Sequence, residues 1–149
     1  MLLLQAGAPP ANPLNDAAWL FPALECWHIL GFAVSIGTIA IVDFRILGYG
    51  MVRDTAQSLA KDFAPWTLFG IVSMLLSGAL MFATDPDMYY LNHPFQGKMT
   101  CLTLALLFHY TLRRKAIAAG TATAAIGIIS LLLWAGVLAG GIFIGFFAT

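Results

Sequence analysis

The chain has 149 residues, 60% hydrophobic and 9% charged, with a mean hydropathy of +0.87 and no net charge. Soluble domains carry about 25% charged residues, so a water-soluble core of this size does not account for so much apolar surface, and lipid is the natural solvent. The zero balance gives no electrostatic footprint for nucleic acid. The length suits one membrane domain over residues 1–149, with no room for a separate soluble catalytic domain.

Residues 1–12 (MLLLQAGAPPAN) lack the basic start and longer apolar run of a signal peptide. They are expected to remain as a short Pro-rich external tail. A spanning helix needs about 20 mainly apolar residues, and four segments qualify, at about residues 19–47, 65–83, 95–112 and 122–147. Their apolar runs are continuous, without the period-two alternation of barrel strands. The expected fold is therefore an all-α, four-transmembrane-helix bundle.

Three connectors separate the spans. The first, residues 49–64, is polar and carries Arg53, Asp54, Lys61 and Asp62. The second, residues 84–94 (TDPDMYYLNHP), is rich in turn formers, and the third begins with Arg113, Arg114 and Lys115. Basic residues mark the cytoplasmic side. Arg45, Arg53 and Lys61 flank the first connector, whereas only Lys98 lies near the opposite face, with Asp16, Asp85 and Asp87. The first and third connectors are thus expected in the cytoplasm, and both termini in the periplasm of a bacterium. Trp19, Phe21, Tyr89 and Tyr90 suit an external aromatic belt, with Arg113 facing phosphate headgroups at the other surface.

An ionisable residue at membrane depth is a functional-site hypothesis by default. Span one carries Glu25, His28, Gly31 and Ser35 at helical spacings, and span three carries Lys98, Cys101, Leu102, Ala105 and His109. A small residue one turn from each histidine, Gly31 or Ala105, leaves room for a flat group. Glu25 is one turn from His28 and can orient its imidazole, as outer-shell carboxylates do around metals. The two histidines are therefore candidate axial ligands of one iron. Counted from the outer ends, His28 lies about 13 Å inside Trp19 and His109 about 16 Å inside Lys98, at 1.5 Å per residue. Counted from the other end the depths differ, because His109 is four residues from Arg113 and His28 fifteen from Asp43. Separate sites, or ligation across subunits, remain the alternatives.

Other polar groups read more simply. His93 is an external-turn residue that, with Met88, Met99 and Cys101, offers soft donors for Cu(I). Asp43 and Arg45 cap, snorkel or pair across the bundle. Ser73 and Ser77, with Gly70 and Gly78 nearby, suit a helix–helix seam. Gly136-xxx-Gly140 and Gly141-xxx-Gly145 suit close packing, within the chain or between copies. Cys26 and Cys101 form no CxxC pair, which excludes a zinc knuckle and covalent haem attachment. No hydrolytic triad, HExxH helix or phosphate loop is present.

The run WLFPALECWHILGFAVSIGTIAIVDFRILG resembles an uncharacterised family of small four-helix bacterial inner-membrane proteins. The matching positions are Trp19, Pro22, Glu25, His28, Gly31, Asp43, Arg45 and Gly48, then Tyr89, Asn92, Phe95 and Lys98, then the Phe108-His109 pair. That family is similar in architecture to small b-type membrane cytochromes and to copper-resistance D proteins. The resemblance implies non-covalent haem b on His28 and His109, with Glu25 or Lys98 engaging propionates or a proton path. Two histidine ligands favour electron transfer over oxygen chemistry. The implied partners are the bilayer, a membrane quinone, a redox protein and further subunits in a homo-oligomer or larger complex. Copper handling or small-ion transport is one alternative, and a non-catalytic subunit of a membrane complex is another.

Overall fold

A computed structural model describes residues 17–146, which are helical apart from short connectors. The elements are α1 (Leu20–Ile46), α2 (Ala56–Thr84), α3 (Pro86–Tyr90), α4 (His93–Phe108), a π-helical segment (His109–Arg113), α5 (Arg114–Ala118) and α6 (Ala124–Ile144). The expected external tail and the last residue of the fourth predicted span lie outside the described residues. By length and composition, α1, α2 and α6 are each sufficient to cross a membrane.

Local chemistry sets the ends. Gly48 (φ 90°) and Gly120 (φ 68°) adopt the left-handed conformation that terminates α1 and α5. In each case two backbone bonds close the turn, Tyr49 N–H to Phe44 O and Gly48 N–H to Arg45 O, then Thr121 N–H to Ala116 O and Gly120 N–H to Ile117 O. The side chains of Thr55, Asp85 and Asn92 accept from the backbone N–H groups of Ser58, Met88 and Phe95, starting α2, α3 and α4. Asn92 also donates to Ile144 O at 3.2 Å, tying the start of α4 to the end of α6.

Two expectations change. Helix α2 starts at Ala56 rather than near residue 65, so most of the first predicted connector is helical. Hydropathy marks where a chain enters apolar surroundings, not where its hydrogen-bonded turns begin, and Lys61 and Asp62 lie exposed on this polar first part. The third predicted span is helical from residue 93 to residue 118, but its ladder widens to π geometry at His109–Arg113.

The closest backbone approach is between α1 and α2. A Cβ on Gly70 would lie 2.6 Å from Ser35 N and 2.7 Å from Gly31 O. One on Gly31 would lie 3.0 Å from Met74 N. Small residues permit such contact. Against this pair stands a second one, α4 with α6, where Gly136 receives Cys101 and Gly140 receives Lys98. These two glycines therefore serve packing inside the chain. The pairs meet over Ile39, Ile71, Met74, Leu102, Ala105, Trp134 and Val137. A smaller cluster of Val42, Leu59 and Ile117 closes the end that carries the basic connectors. Leu30, Leu68, Phe69, Leu76, Leu107 and Leu132 point outward, as expected of helices whose outer faces meet lipid.

Candidate functional site

His28 and His109 occupy different levels of the bundle. His28 faces Ser77 and Gly78 on α2. His109 shares a groove with Thr67 of α2 and Ile39 of α1. Ten residues of α2 separate Ser77 from Thr67, about 15 Å along the axis. Eleven residues of α1 separate His28 from Ile39, about 16 Å. The count from the basic end is the one that matches this arrangement, and it gives a single iron no common position between the two rings.

The His28 site is a saturated polar chain. Lys98 Nζ lies 3.5 Å from His28 Nε2, and His28 Nδ1 lies 3.0 Å from Ser77 Oγ. Ser77 in turn donates to Ser73 O at 2.8 Å. An ammonium group only donates. The consistent direction is therefore Lys98 to His28 Nε2, His28 Nδ1–H to Ser77, and Ser77 to Ser73 O. Both ring nitrogens have protein partners. Gly78 gives the ring its space, since a Cβ there would sit 3.0 Å from His28 Cε1. Gly31 packs on α2 and Ala105 lies in the central apolar cluster, so neither borders an open slot beside a histidine. Lys98 runs over Gly140 and Gly141 of α6.

Glu25 is exposed on α1. Its charge reaches Tyr89 in the α3 connector, where burial, Glu25 and Asp85 together push the phenol above its ordinary value. Tyr89 is buried in an aromatic group, 6.1 Å from Phe82 and 5.4 Å from Phe95 between ring centroids. It therefore packs inward instead of joining an aromatic belt, while Trp19 and Tyr90 are exposed.

The His109 site is built by the π segment. His109 opens it and Arg113 closes it, with Arg113 Nη1 3.4 Å from His109 Nδ1. Arg113 Nε donates to Asp43 Oδ1 at 2.7 Å, and Nη2 donates to Ile39 O at 3.3 Å. Arg113 is thus buried against α1 and does not face headgroups. Of the openings left for Asp43, pairing across the bundle is the one realised, whereas Arg45 bonds Asp54 O in the first connector. Asp43 Oδ2 and Ser130 Oγ are buried without a hydrogen-bond partner among the described residues.

Beside this triad runs a groove of about 570 Å³ between α2 and the π segment with α5. Phe63, Leu68 and Tyr110 supply apolar wall, and Lys61 and Arg114 stand at its basic end. The Tyr110 ring meets His109 edge-on, with centroids 4.9 Å apart. Thr67 also lines the groove, but its hydroxyl is engaged by Phe63 O and Thr38. Spacing alone gave no sign of the π segment or of the groove. Paired with Asp43, the run Arg113-Arg114 after a membrane histidine was the one available hint.

Of the copper candidates, His93, Met88 and Met99 are exposed near the α3 end, and Cys101 faces Gly136. Among the described residues no group of three or more His, Cys, Asp and Glu is placed to hold a metal. No curated protein and no solved structure matches the chain. A family model does match residues 22–147, and on that match the chain belongs to a family of unknown function, DUF6644.

Proposed function

We propose that this chain is a four-span protein of a bacterial inner membrane, with periplasmic termini, that serves electron transfer through a quinone seated in the His109 groove. The 93–118 helical stretch supplies the fourth crossing, its length of about 39 Å exceeding the roughly 30 Å apolar core. Arg53, Lys61, Arg114 and Lys115 gather at one end, and that basic bias supports a cytoplasmic location for it.

One observation carries the quinone reading: His109 is an imidazole at the edge of an apolar groove, with one ring nitrogen held by Arg113 and none of the described residues bonded to the other. Pockets of this kind, mostly apolar with a few placed polar groups, suit small membrane-soluble ligands. A quinone carbonyl accepts a hydrogen bond, and an isoprenoid tail suits the walls of Phe63 and Leu68. Reduction to the quinol takes two electrons, from a redox partner protein, and two protons.

Haem b is tested by the same preparation. On His28 it requires Lys98 to leave Nε2, because a metal binds the imidazole lone pair. Detergent-purified protein should yield an extractable quinone that is lost in His109→Ala, with no Soret band. A Soret band that disappears in His109→Ala or His28→Ala, without quinone, would replace this reading by the haem one. Reporter fusions at both ends test the topology, and a cytoplasmic terminus would reject it.

A further inference from the structure

Building on the quinone reading, we infer that Arg113, itself held by Asp43, is a positioning residue that fixes His109 as an Nε2–H donor toward the groove, so that the group it meets is an uncharged carbonyl acceptor. A guanidinium has five donors and no acceptor. Its three nitrogens are directed to Asp43 Oδ1, Ile39 O and His109 Nδ1. The ring nitrogen beside it must therefore be the acceptor, and the proton of the neutral imidazole resides on Nε2. Which nitrogen carries the proton is set by the bond the other one makes.

Charge selects among acceptors. Asp43 and Arg113 form a buried ion pair with side-chain exposures of 0% and 5%, so the floor beside His109 holds a neutral pair rather than a free cation. The other titratable or charged groups facing the groove are Lys61 on α2, Tyr110 in the π segment and Arg114 on α5. The two cations stand at its basic end, where they suit water or headgroups. A carboxylate seated at His109 would have to draw on Lys61 or Arg114 for countercharge, because Arg113 is already paired with Asp43, whereas a quinone carbonyl needs only the one N–H.

The π segment is what brings the three groups together. It places His109 and Arg113 at its two ends and lets Arg113 reach across to α1. Such local widening of a helix occurs frequently at functional sites. His28 provides the contrast within the same chain, because Lys98 and Ser77 occupy both of its nitrogens.

The test is nitrogen NMR of the full chain, labelled with 15N-histidine and held in lipid nanodiscs, with His109→Asn assigning the signal. The expected state is neutral His109 with the proton on Nε2, and addition of decyl-benzoquinone should move that resonance. Arg113→Lys keeps a cation for Asp43 but loses the fork, and should mix the tautomers and weaken quinone binding about tenfold, the effect of one hydrogen bond. An Nδ1–H tautomer or an imidazolium in the unmodified protein overturns the inference, whatever binds. The expected tautomer without any response to quinone sustains the role of Arg113 and rejects the quinone reading. Tighter response to a fatty acid than to the quinone overturns the choice of an uncharged acceptor.

Discussion

His28 and His109 have the same side chain and each have a cationic side chain within reach of one ring nitrogen, yet their surroundings differ in one respect. At His28 the chain of donors runs from Lys98 through the ring to Ser77 and ends on a backbone carbonyl. At His109 it runs from Arg113 into the ring and stops at a groove. A buried imidazole with both nitrogens engaged is a structural link between helices. One with a free nitrogen facing an apolar groove retains a polar group for a ligand. Burial alone does not separate the two.

The largest expected effect concerns the support of the His109 site. Asp43→Ala leaves the Arg113 charge buried without its partner, and loss of one member of a buried pair costs about 3–5 kcal/mol. Thermal unfolding in detergent should show the loss, and a near-unchanged midpoint would mean that Arg113 turns out toward headgroups. Next comes the seam on which the His28 site rests. Gly70→Ala puts a methyl against Ser35 N and Gly31 O, and overpacking of this kind costs about 1–3 kcal/mol. If the variant unfolds at the same temperature, α1 and α2 are not in contact at that level.

Ser77→Ala should be milder, about 0.6 kcal/mol for an interhelical hydrogen bond in a membrane. The same change should leave quinone binding at His109 unaltered, and a loss there would erase the distinction between the two sites. Smallest is an alkaline effect at Tyr89. Its phenol is raised in the folded state by burial, Glu25 and Asp85, so the unfolded chain gives up this proton first. Stability from this source is complete below the ordinary phenol value of about 10 and falls as pH rises through the folded value. Tyr89→Phe should remove that part of the slope, and an unchanged slope would assign it elsewhere.

Much of the architecture was legible in the sequence because lipid imposes simple rules. Continuous apolar runs identified α1, α2 and α6, and Ser73 and Ser77 pointed to a helix seam. What the sequence left open was the identity of neighbours. Gly31 signals that something comes close, but spacing does not say whether it is a flat ligand or the backbone of α2. The depth comparison of His28 and His109 gave two answers, because the outer ends of spans one and three were counted from unlike residues, Trp19 at a helix cap and Lys98 already inside the bundle. Arg113 was read as a headgroup contact because four-residue spacing fixes its side of the helix and not the reach to Asp43. The π segment was invisible, since hydropathy does not encode which carbonyl an amide chooses.

The most direct test of the central claim is an experimental density map of the protein in nanodiscs soaked with decyl-benzoquinone. The account predicts a ring in the groove between α2 and the π segment, with a carbonyl oxygen within hydrogen-bond distance of His109 Nε2 and Arg113 still joined to Asp43. A quinone placed only at the α3 end, or a metal bound directly to the His109 nitrogen, would contradict it.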